Sequence, residues 1–146
     1  MDEQTAADEI TWITDNVAIT NFFSAHGKDI LAEHNVKAVL CLDQETQGDS
    51  AEERGVECIE VVHLVDGPND VVVFRRAVTT LGELIDRHGQ VVVHCRAGRS
   101  RSIAVVAAYL KKARNLEADE ALQFVMSRRQ SAIAPELVRL VGTFDS

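Results

Sequence analysis

The chain has 146 residues, 46% of them hydrophobic and 26% charged, with a formal net charge of −8 at pH 7. That length supports one hydrophobic core, so a single domain over 1–146 is expected. The acidic balance argues against nucleic acid or an anionic membrane surface as partner, and no signal peptide or spanning run is apparent, so a cytoplasmic protein without membrane insertion is expected.

In chain order, an opening strand region is followed by a short helix over Ser24–Asn35, with Ile30 and Leu31 facing in and His26, Lys28 and Glu33 in solvent. Val36–Leu42 is a continuous apolar run and reads as a buried strand. Asp43–Ser50 is polar, contains Gly48 and reads as a surface loop, leading through an acidic turn at Ala51–Arg54 into a strand from Val56 to Leu64. His63 alternates with Val62 and Leu64 and reads as a satisfied structural histidine. Val71–Arg87 is a helix closed by Gly89, and Asp70 just before it reads as the N-cap or first-turn acid. Gln90–Val93 is a short buried strand and Ile103–Leu110 a buried helix. Glu117–Arg129 carries helical spacing at Ala121, Leu122, Val125 and Met126, and Pro135 starts a last helix ending near Phe144. This order predicts an α/β fold with a mainly parallel central sheet of four to five strands flanked by helices. Ligands in such open sheets lie beyond the carboxyl ends of the strands.

At one such end stands His94-Cys95-Arg96-Ala97-Gly98-Arg99-Ser100-Arg101-Ser102, between a strand and a helix. Backbone N–H groups of residues 96 to 101 can form an anion nest, reinforced by the positive end of the following helix dipole. The field that attracts a phosphoryl group also favours the thiolate form of a cysteine nucleophile. Gly98 lets the backbone curl, Arg101 offers a planar fork for two oxygens, and the Ser102 hydroxyl can donate to the sulfur. The phosphate-binding set is thus Arg96, Ala97, Gly98, Arg99, Ser100 and Arg101. A nucleotide-binding Gly-x4-Gly-Lys-Ser/Thr loop is excluded because no such string occurs.

These residues resemble the signature of the cysteine-dependent protein tyrosine phosphatase superfamily, His-Cys, five residues, Arg, then Ser or Thr. The Ala-Gly-x-Ser-Arg-Ser wording is most similar to the small dual-specificity phosphatases. The likeness extends through Ala108-Tyr109-Leu110, and back to Ile13–Ile19 and Val36–Leu42 as opening strands. It implies a dual-specificity phosphatase-like catalytic domain that hydrolyses phosphomonoesters on proteins through a phosphocysteine, with Cys95 as nucleophile, Arg101 on the equatorial oxygens and Ser102 easing the sulfur's departure. It also implies an aspartate general acid upstream of the cysteine. Asp66, between a strand and a Gly-Pro turn, is the leading candidate and Asp70 the alternative. His94 is implied as a structural residue around the cysteine backbone. No metal and no cofactor are called for.

Three cysteines without a Cys-x-x-Cys pair argue for reduced thiols. Cys58 reads as core, and Cys41 as either a core residue or, as in several members of the superfamily, a reversible disulfide partner of Cys95. Arg75-Arg76 and Arg128-Arg129 either rim the loop or stand as solvated helix faces. Trp12, Phe22, Phe23 and Phe74 read as core before rim. The expected partner is a phosphoprotein or phosphopeptide, in a pocket shallow enough for phosphoserine, phosphothreonine and phosphotyrosine. A phospholipid or inositol phosphate is the alternative substrate, and a phospho-binding module without turnover the non-enzymatic one. Nothing in the sequence addresses oligomeric state.

Overall fold

The computed structural model describes residues 10–21, 28–43, 51–96 and 98–144. Within them the elements run β1 Thr11–Trp12, β2 Val17–Thr20, α1 Lys28–Glu33, β3 Ala38–Cys41, α2 Ala51–Arg54, β4 Cys58–Val61, α3 Val71–His88, β5 Val91–His94, α4 Arg101–Ala113, α5 Ala118–Met126 and α6 Pro135–Thr143. The sheet order is β1-β2-β5-β3-β4. Its four longer strands are parallel, and β1 adds an antiparallel edge.

Strand side chains alternate between two cores, as a period of two requires. Val17, Ile19, Ala38, Leu40, Val91 and Val93 face the larger core, packed under α3, α4, α5 and α6. Ala18, Val39 and Val92 face the smaller one, with Leu31 of α1 and Val36 and Val56 beside it. Both faces of the central strands are covered, which is why they read as unbroken apolar runs. Helix α4 lies deepest: every residue from Ser102 to Ala108 is buried, so the helix after the His94–Ser102 motif is the core's central rod.

The sequence expectations hold for the main elements and shift at their ends. The Ser24–Asn35 helix is described only from Lys28, and Phe22, Phe23 and His26 lie outside the described residues. Ala51–Arg54 is a helical turn with Arg54 buried. The ladder continues past β4 through Val62 N–H to Cys41 O (2.9 Å) and Leu64 N–H to Leu42 O (2.9 Å), matching the longer predicted strand. His63 is exposed, a correction to its reading as a satisfied structural histidine: Val62 and Leu64 take the inward positions and the alternation turns His63 to solvent. Phe74 is buried and meets Phe144 edge-to-face at 6.3 Å, so it is core and not rim. Lys111 of α4 donates to the carbonyls of Val141, Gly142 and Phe144, tying the end of α6 to the central helix.

Candidate active site

Three neighbouring parallel strands deliver three polar residues to one sheet edge: Asp43 after β3, Asp66 after β4 and Cys95 after β5. Cys95 is 2% exposed, at the floor of the turn into α4. The Ser102 hydroxyl donates to its sulfur at 3.2 Å, the contact the motif predicts. His94 is fully buried with Nδ1 3.2 Å from the Cys95 carbonyl oxygen, consistent with a part in holding the cysteine backbone.

Gly98 has φ +71°, and a Cβ there would lie 2.5 Å from Thr20 O and 2.9 Å from Arg129 Nη2. Only glycine fits both the conformation and the space. The buried Arg129 forms the wall it presses on, donating from Nε to Gly98 O (2.6 Å) and from Nη1 to Thr11 Oγ1 (2.8 Å) and Ile19 O (3.4 Å). One of the two arginines read as rim or solvated face is therefore a buried brace of the loop. Its neighbour Arg128 is exposed over the Phe124 ring at 4.3 Å, and Arg75 and Arg76 are exposed on α3. A second strut is Ala132 N–H to Arg99 O at 2.8 Å.

Arg101 is the first residue of α4, and its Nη1 donates to Leu64 O (3.0 Å) and Asp43 Oδ1 (3.3 Å). No hydrogen bond or ion pair of its Nε or Nη2 is found among the described residues, which leaves the fork's bidentate side for an anion. Asp43 also pairs with Arg96 Nη2 at 3.1 Å. Asp43 is 9% exposed, a correction to the surface loop expected from Asp43 onward. The two arginines compensate its burial, as a buried carboxylate requires. Residues 44–50 and Ala97 lie outside the described residues.

Ser100 sits at the N-cap position of α4 but makes no side-chain cap. Its hydroxyl donates instead to Asp66 Oδ1 at 2.5 Å and accepts from Ala134 N–H at 3.1 Å. The amide fixes which way the hydroxyl proton points, and the first amides of α4 go uncapped by that side chain, a ready anion site. Asp70, by contrast, accepts from Val72 N–H at 2.8 Å as the cap of α3, the bland role expected for it. Asp66 is thus the aspartate tied to the cysteine loop.

Cys41 is the last residue of β3, fully buried, opposite His94 in the ladder and donating from Sγ to Asp43 O at 3.2 Å. Burial, then the Glu60 carboxylate, pushes the half-buried Cys58 thiol up from its ordinary value. All three are free cysteines.

Sequence reasoning missed Asp43, Arg129 and the diversion of Ser100. In the sequence Asp43 reads as loop polarity and Arg129 as half of a pair on the loop rim or a solvated helix face. The one available signal was a lone Asp directly after a buried strand on the ligand-bearing side.

A family model described as the dual specificity phosphatase catalytic domain matches residues 19–140. Dual specificity protein phosphatase 1B of Arabidopsis thaliana is 29% identical over 124 residues, 85% of this chain and 74% of its own. Dual specificity protein phosphatase 1 of the same plant is 31% identical over 109 residues, 75% of this chain, which spans only 54% of that relative's length. Among solved structures, PTPMT1 superposes with a TM-score of 0.72 at 25% identity, covering 91% of each chain. Human DUSP28 shares the fold with a TM-score of 0.78 at 22% identity, again over 91% of each. The chain belongs to the dual specificity phosphatase catalytic-domain family.

Proposed function

We propose that the protein hydrolyses phosphomonoesters on proteins, on phosphotyrosine and on phosphoserine or phosphothreonine, through a phosphocysteine. The Cys95 thiolate attacks phosphorus in line while the Nε–Nη2 edge of Arg101 and the amides of residues 96 to 101 hold the equatorial oxygens. Asp66 transfers its proton to the leaving oxygen as the P–O bond breaks. The ionised Asp66 then accepts a proton from water, which attacks phosphorus. The sulfur departs as thiolate, stabilised by the Ser102 hydroxyl, and phosphate is released. The observation that carries this reading is the pair of contacts at the two sides of one loop, Ser102 on the sulfur and Ser100 on Asp66. They tie Cys95 and Asp66 to the same loop.

A lipid phosphomonoester is the second reading, favoured by the likeness to PTPMT1 in complex with PI(5)P, TM-score 0.73 at 24% identity. Cys41 keeps a proposed protective part: peroxide oxidises the Cys95 thiolate to a sulfenic acid, which condenses with the Cys41 thiol to a disulfide with loss of water. Its place beside His94 in the ladder supports this.

The test is release of inorganic phosphate, with EDTA present, from a phosphotyrosine peptide, a phosphothreonine peptide and a phosphoinositide, for the wild type and Cys95→Ser. The expected result is release from both peptides by the wild type alone. Release from the lipid alone would replace the protein reading by the lipid one, and no release from any substrate would leave a phospho-binding module.

A further inference from the structure

The loop carrying Asp66 is exposed, and among the described residues the Ser100 hydroxyl is the strut around Cys95 that reaches it. Something else must fix its backbone, because a carboxyl free to swing cannot keep a productive line to a leaving oxygen. The Asn69 side chain is placed to do so. Its Oδ1 accepts from Val65 N–H at 2.8 Å, while its Nδ2 donates to Val65 O at 2.9 Å and to Gly67 O at 3.0 Å. The amide grips both polar groups of the residue before Asp66 and the carbonyl of the residue after it. An ordinary Asx turn engages the backbone two residues onward; this side chain reaches back instead, and its contacts bracket one residue, Asp66.

We propose that Asn69 is a positioning residue for the general acid, holding the 65–69 loop closed so that Asp66 meets the leaving oxygen without a loop movement. The inference rests on the reading of Asp66 as the acid. Asn69 touches no reacting atom and is not itself a catalytic residue. Its effect should follow how far a substrate needs protonation. A nitrophenolate leaves unaided, whereas a phenolate, or the alkoxide of serine, threonine or a lipid headgroup, needs the acid.

The experiment compares kcat and KM on 4-nitrophenyl phosphate and phenyl phosphate for the wild type, Asp66→Asn, Asn69→Ala, Asn69→Asp and Asp70→Ala. Loss of Asn69 should lower kcat/KM, which reads the phosphorylation step and not the common hydrolysis of the phosphocysteine, by about 10-fold or more on phenyl phosphate and by less than about 2-fold on nitrophenyl phosphate. The isosteric Asn69→Asp preserves packing and the acceptor for Val65 N–H but turns both donor contacts into oxygen–oxygen repulsion, so it should show the same selectivity even if Asn69→Ala folds poorly. Asp70→Ala removes the α3 cap and should lower the melting temperature while leaving the ratio of the two rates at its wild-type value. If Asp66→Asn depresses the ratio while the folded Asn69 variants match wild type, the inference fails alone. If Asp66→Asn leaves the ratio unchanged, the general-acid reading fails first and the inference with it.

Discussion

Two loops meet at the sheet edge and are built in opposite ways. The Cys95–Arg101 loop is held from outside, by the buried Arg129 and Thr20 pressing on Gly98, by Ala132 on Arg99 and by Asp43 on Arg96 and Arg101. The Val65–Asn69 loop is exposed and held from within, by one of its own side chains, and among the described residues its side-chain link to the first loop is the Ser100–Asp66 hydrogen bond. The difference matches what the proposed mechanism asks of each. An anion cradle must offer fixed dipoles with no reorganisation at the moment of reaction, which favours burial. An acid must reach a leaving group of varied shape, which favours an exposed arm set by local hydrogen bonds.

The sharpest break in this contrast is Gly98→Ala. A methyl group 2.5 Å from Thr20 O, on a residue held at φ +71°, forces the loop out of shape. Turnover on nitrophenyl phosphate should fall by about 10²-fold or more, with weaker binding of inorganic phosphate as a competitive inhibitor. Next is Arg129→Ala, which unties Gly98, Ile19 and Thr11 from outside. Losing a buried, multiply bonded guanidinium should cost about 2–4 kcal/mol in urea unfolding, and turnover should fall alike on good and poor leaving groups, because the cradle and not the acid is disturbed. The Asn69 effect is smaller and selective for poor leaving groups. If Arg129→Ala proved selective, or Asn69→Ala uniform, the division between the two loops would collapse.

How legible this was follows from where the information sits along the chain. The strands around the site are buried on both faces and announce themselves as Val36–Leu42 and Gln90–Val93, and the central helix as Ile103–Leu110. Cys95, Arg101 and Ser102 were legible because one turn into a helix carries them all. Strand β1 was not, because Thr11–Trp12 is too short to show any alternation. Asp43 reads as loop polarity until the fold brings it to Arg101, 58 residues on, and Arg129 reads as half of a solvated pair until it meets Gly98, 31 residues away. Loop chemistry is local in sequence, whereas the struts that hold the loop are tertiary, and no spacing rule marks them.

The most direct measurement is rapid-quench trapping of the wild-type protein with a phosphotyrosine peptide, followed by mass mapping of its cysteines. The expected result is a phosphoryl group on Cys95 alone, with Cys41 and Cys58 unmodified, and a greater share of trapped enzyme in Asp66→Asn if release of the intermediate becomes limiting. Turnover with no phosphorylated Cys95, or with turnover intact in Cys95→Ser, would contradict it.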